Sequence, residues 1–168
     1  MIELVKMTED AFHAWQTLEA ENCAVEQVRV GTWPKEDAVA KAHETFDQYL
    51  PHGIDTSEHR VMMIVDSDRS EAVGTIWYAA LGEAGAWRGG LLSLRVYPEH
   101  LRKGYASAAC RLMEADLAAQ GASVIRLHVF GCNAAARALY EHLGYEETDV
   151  VMRKRLHDTT AADTLRKA

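Results

Sequence analysis

The chain predicts an α+β fold with one mixed, mostly antiparallel central sheet and helices on both faces. Two observations carry that expectation. The hydrophobic period is helical up to about residue 50, strand-like from about 61 to 97, and helical again from Tyr105. A helix then joins two strand-like runs, Trp87–Tyr97 and Val124–Phe130, and such a connection requires a parallel crossover.

The elements follow in order. Ile2 to Met7 alternate as a short first strand. Thr8 stands where a helix N-cap belongs, and Glu9 and Asp10 favour the positive end of the helix dipole. Ala11, Trp15, Leu18 and Val25 recur at helical spacing and predict the apolar face of that helix, which breaks at Gly31. Pro34 suits the first turn of a second helix carrying Val39, Ala42, Phe46, Tyr49 and Leu50, which Pro51 and Gly53 end. Val61–Val65, Val73–Leu81 and Trp87–Tyr97 form a meander, and Gly89-Gly90 predicts a bulge or a close backbone approach. Tyr105–Ala119 is helical and stops at Gly121. A strand at Val124–Phe130, an N-cap at Asn133, a helix over Ala134–Leu143 stopped by Gly144, and a strand over Thr148–Leu156 complete the reading. One domain over 1–157 and a polar tail over 158–168 are expected.

Composition narrows the function. The net charge of −7 disfavours a nucleic-acid partner, because phosphate backbones require a clustered basic surface. No apolar run reaches the roughly 18 residues of a membrane span, and no basic-then-apolar leader opens the chain. Three cysteines (Cys23, Cys110, Cys132) without metal spacing predict neither a disulfide framework nor a metal site, which fits a reducing cytoplasm.

Chemistry gathers in two motifs. Leu91-Leu92-Ser93-Leu94-Arg95-Val96 runs through Pro98 into Arg102-Lys103-Gly104-Tyr105-Ala106-Ser107 at a helix start. Backbone N–H groups at a helix N-terminus with two cations beside them suit a diphosphate, and the small Gly104 and Ala106 allow close approach. The Gly-x-x-x-x-Gly-Lys spacing of a Walker loop is absent. About thirty residues later come Asn133, Ala136, Leu139-Tyr140 and Gly144-Tyr145.

With those motifs in that order, the chain resembles the GNAT family of N-acetyltransferases over nearly its whole length. Its wording from Leu127 to Leu156 is similar to a small bacterial subgroup of uncharacterised acetyltransferases. The resemblance implies acetyl-CoA as cosubstrate, without a metal, and a small-molecule or peptide amine as acceptor. It implies direct attack in a ternary complex. A non-catalytic acyl-CoA-binding or sensor module with the same fold is the alternative, and since dimers are common in the family a homodimer is open. One departure is Leu101, where the usual loop has Gln or Arg; Arg102 and Lys103 stand beside it to supply charge.

The resemblance also implies residue roles. The pantetheine arm would lie between the Leu91–Val96 and Val124–Phe130 strands, on backbone groups of Leu94 and Val96. The Val96 N–H would polarise the thioester oxygen. Asn133 would cap its helix and touch the arm. Tyr140 would be the general acid for the departing thiolate; a core tyrosine is the competing reading, since Ala136, Leu139 and Leu143 share its helix face. An amine of pKa about 10.4 is almost wholly protonated at neutral pH, so a base is expected. His128 is the candidate, against a hydrogen-bonded histidine on the sheet face. Glu99 and His100 are weaker candidates, a covalent Cys132 route is disfavoured, and Trp15, Trp33, Trp77 and Trp87 fit a core better than an acceptor pocket.

Overall fold

A computed structural model describes residues 1–81 and 88–154, with backbone only at Leu81. The elements are β1 (Ile2–Lys6), α1 (Glu9–Arg29), α2 (Ala38–Tyr49), β2 (His59–Asp66), β3 (Glu71–Leu81), β4 (Arg88–Val96), α3 (Tyr105–Ala119), β5 (Val124–Leu127) and α4 (Ala134–His142). Short 3-10 turns lie at Gly53–Asp55 and Pro98–His100. Residues Met1–Asn133 form one compact unit, and a second begins at Ala134.

In the first unit the strands lie in the order β1-β2-β3-β4-β5. The first three pairings are antiparallel, and β4 pairs with β5 in parallel across the α3 crossover. Pleating sends successive side chains of β3 to opposite faces. Trp77 enters a core with Phe12, Trp15, Ala42 and Phe46 of α1 and α2. The next residue, Tyr78, donates its hydroxyl to Asp116 of α3 at 2.8 Å. Helices therefore cover both faces of the sheet, as expected.

Ring packing sets the rotation of α1. Trp15 sits 5.6 Å edge-on to Trp77 and 6.0 Å from Phe46, while Phe12 lies 5.7 Å from Trp15. Burying these large rings outweighs the small apolar residues elsewhere on the helix. The buried face becomes Phe12, Trp15, Glu19, Ala20 and Ala24, and Leu18 and Val25 of the expected face are exposed. Pro34 belongs to a turn closed by the Asp37 N–H, and α2 starts only at Ala38.

Gly89 bears out the expected close approach, because a Cβ there would meet Leu117 of α3 at 2.6 Å. The bulge lies at Leu92 instead. Trp77 faces Ser93 and Tyr78 faces Leu91, so Leu92 is the extra residue. It reverses the alternation of β4: Leu91 shares the α3 face with Tyr78, whereas Ser93 and Arg95 join Trp77 on the α1 face.

In the second unit α4 ends in a Schellman motif. Tyr145 N–H donates to Tyr140 O at 2.9 Å and Gly144 N–H to Glu141 O at 3.0 Å, with Gly144 at φ 89°. Residues 145–154 carry no strand, so the expected strand from Thr148 finds no ladder partner among the described residues; its last two positions lie outside them. Trp87, the 157/158 boundary and the tail also lie outside the described residues.

Candidate active site

The open edge of β4 is the first part of the site. Its ladder with β5 runs only from Arg88↔Val124 to Leu91↔Leu127, while β4 continues to Val96. Beyond Leu91 the strands part. The Tyr97 N–H donates to Val73 O at 2.9 Å, which makes Gly74↔Val96 a non-hydrogen-bonded pair. In such a pair the N–H and C=O groups point away from the partner strand. Val96 and, two residues earlier, Leu94 therefore turn their N–H and C=O outward to the edge that β5 has left.

The chain then enters α3 through a loop of unusual backbone. Arg102 has φ 58° and Gly104 φ 83°, on either side of Lys103. A residue with a Cβ resists that conformation by roughly 1–2 kcal/mol. Nothing lies within 4 Å of a Cβ built on Gly104, so the backbone angle rather than crowding within the protein demands glycine there. No side chain caps α3, and its first internal bond is Ala108 N–H to Gly104 O at 3.0 Å. The N–H groups of Tyr105, Ala106 and Ser107 have no acceptor among the described residues. Alternating backbone signs and free N–H groups make an anion-binding concavity. Arg102 is exposed beside it, and the Lys103 ammonium folds back onto Glu99 O at 2.8 Å. Leu101 is 54% exposed and contributes no polar group.

Buried contacts behind the loop hold it. The Tyr105 hydroxyl donates to Asp66 at 2.8 Å, which raises the phenol's pKa and lowers the carboxyl's. His100 is buried, with Nε2 3.5 Å from Glu71 and its ring 6.0 Å from Tyr105. That placement makes His100 a support for the loop and weakens it as a candidate base.

The remaining candidates are distributed as follows. His128 is exposed one residue past the end of β5, level with Leu92 at the fork, and its ring meets Phe130 edge-on at 5.0 Å. Asn133 precedes α4 and donates its N–H to Phe130 O at 2.8 Å. Tyr140, in the second unit, has its ring 5.7 Å from Tyr145. The glycine stop of α4 brings those rings together, since a Schellman ending sets the residue after the glycine against the last turn. Cys110 is fully buried and its thiol is pushed up to about 12 by desolvation, so it stays protonated. Among the described residues no group of three or more His, Cys, Asp or Glu side chains is placed to hold a metal, and no helix is long and apolar enough to cross a membrane.

One residue escaped the sequence reading. Glu19 of α1, 8% exposed, accepts Ser93 Oγ at 2.6 Å and Arg95 Nε at 3.1 Å. An acid thus reaches the face of β4 from another element, although β4 itself has none. The signal was an acid one turn after Trp15 and two after Phe12, on the face those rings bury.

Known proteins resemble the chain over most of its length. Residues 13–145 match the Acetyltransferase (GNAT) family. The chain is 33% identical to the uncharacterised N-acetyltransferase YycN of Bacillus subtilis (strain 168), over 92% of this chain and 99% of that one. It is 31% identical to YdgE of the same organism, also an uncharacterised N-acetyltransferase, over 91% and 97%. The crystal structure of YycN superposes with a TM-score of 0.87 over 94% of this chain and 100% of that one. The aminoglycoside N-acetyltransferase AAC(6')-Iy in complex with CoA shares the fold at 16% identity and a TM-score of 0.58, over 92% and 94%. The chain belongs to the GNAT family of acetyl-CoA-dependent N-acyltransferases.

Proposed function

We propose that the protein transfers the acetyl group of acetyl-CoA to a primary amine by direct attack in a ternary complex. The observation that carries this reading is the continuity of the open β4 edge with the uncapped start of α3: an extended acceptor of hydrogen bonds meets Leu94 and Val96, and its anionic end meets Tyr105, Ala106 and Ser107. The diphosphate lies on those N–H groups, with Arg102, Lys103 and Gly104 forming the loop around it. Asn133 and the β4 edge hold the pantetheine arm.

Order along the strand refines the role first assigned to Val96. An arm leaving the α3 end reaches Val96 first, then Leu94, then the fork at Leu92. The Leu94 N–H is thus better placed than the Val96 N–H to face the thioester oxygen and stabilise the developing oxyanion. The amine nitrogen attacks the carbonyl carbon, and His128 at the fork accepts the ammonium proton. The C–S bond breaks, and the departing thiolate takes its proton from a general acid, the role the family resemblance assigns to Tyr140.

Thiol release with a productive amine tests this. Tyr140→Phe is expected to lower kcat about 100-fold while the KM for acetyl-CoA stays within about twofold. Unchanged kcat removes Tyr140 from the acid role. Binding of acetyl-CoA without thiol release for any amine favours the sensor alternative.

A further inference from the structure

Three buried polar atoms without a hydrogen-bond partner among the described residues gather on one face of the sheet: Trp15 Nε1, Asn22 Nδ2 and Thr75 Oγ1. Trp15, Glu19 and Asn22 lie in one stripe of α1, spaced by four and three residues. The Trp15 ring stands on Trp77, which is opposite Ser93 in the ladder, and Thr75 is opposite Arg95. Glu19 joins the two elements through Ser93 and Arg95. Trp15 is 6% exposed and Thr75 5%, so water from bulk does not readily satisfy them.

The unmet groups have one chemical sign. Glu19 Oε1 already accepts from Ser93 Oγ and Arg95 Nη2, and Oε2 accepts from Arg95 Nε. What remains is an indole N–H, an amide NH₂, a hydroxyl that can donate, and the Nη1 corner of Arg95. Arg95 keeps 38% of its side chain exposed, and no acceptor reaches Nη1 among the described residues. Buried donors without acceptors are costly, and they offer a cation no oxygen beyond those Glu19 already commits. An oxygen acceptor from outside meets the one member of the cluster that solvent reaches, the free corner of Arg95. A planar guanidinium clamped along one edge presents its free corner in fixed geometry, which suits a carboxylate or a carbonyl.

We propose that Arg95, clamped by Glu19, is a specificity-determining residue that reads a carboxylate or amide carbonyl on the acceptor. The acceptor is then an amino acid or the N-terminal residue of a peptide, rather than a polyamine. This rests on the reading of the β4 edge as the acetyl-CoA site, because Arg95 lies between Leu94 and Val96. The Leu92 bulge is what turns its side chain to the α1 face.

Thiol release from acetyl-CoA by the full chain, measured with matched amines, tests it. The panel pairs amino acids, amino acid amides and dipeptides with the alkylamines that lack their carbonyl group, and includes a polyamine. The wild type is expected to prefer the carbonyl-bearing member by at least about tenfold in kcat/KM. Arg95→Lys should bring that ratio close to one, through the acceptor KM, while acetyl-CoA raises the Tm of the variant as it does the wild type. Glu19→Gln should lower the ratio by a few-fold, and the milder Ser93→Ala by less than about twofold. Preference for free amino acids over amides identifies a carboxylate as the group read, and the reverse identifies a carbonyl; either supports the inference. A wild type without preference overturns it, as does an Arg95→Lys variant in which both members of each pair fall equally. If acetyl-CoA leaves the wild-type Tm unchanged, the acetyl-CoA reading itself fails and takes this inference with it.

Discussion

Helices α1 and α3 begin in opposite ways. At α1 the Thr8 hydroxyl accepts from Ala11 N–H at 3.3 Å, and Glu9 and Asp10 complement the dipole. That terminus caps one of its free N–H groups and balances its dipole with its own side chains. At α3 the preceding residue is a glycine at positive φ, the first turn has no acid, and Arg102 and Lys103 place cations at an already positive helix end. Such an arrangement is unfavourable until an anion enters it. The same backbone groups are thus balanced by the chain's own side chains at one helix and left open at the other, and the flanking residues decide which.

Gly104→Val should break the comparison most. It removes the left-handed entry to α3, and the Kd for acetyl-CoA is expected to rise roughly 10- to 100-fold, measured by calorimetry with circular dichroism checking the fold. An unchanged Kd would show that the α3 terminus is not the diphosphate site. Arg102→Gly should separate strain from charge. Relief of its positive φ is expected to raise the Tm, while loss of the cation weakens acetyl-CoA binding roughly two- to fivefold, more at low salt. Thr8→Ala sharpens the contrast with the smallest functional effect. It should cost about 1 kcal/mol in denaturant unfolding and leave the acetyl-CoA Kd unchanged. A shift in that Kd would mean the two termini are not independent.

Local chemistry made much of this readable. The N-cap at Thr8, the glycine stops at 31, 121 and 144, the meander and the crossover depend on neighbours a few residues apart, and the structure reproduces them. The loop from Arg102 to Ser107 was legible for the same reason, since its N–H groups are freed by the residues beside them. Misses came where distant residues compete. The rotation of α1 follows from ring packing on Phe46 and Trp77, and the bulge falls at Leu92 rather than at the glycines. Glu19 was missed because its partners lie more than seventy residues away.

Sequence by itself determined the family, the order of elements through α4 and the open entry to α3, because short-range sterics and hydrogen bonding write those features into adjacent residues. Tertiary structure alone decided where β5 leaves β4, which N–H groups of β4 face the open edge, and which side chains share the face beneath α1. Those depend on ladder register, and a single inserted residue at Leu92 reverses the facing of everything after it.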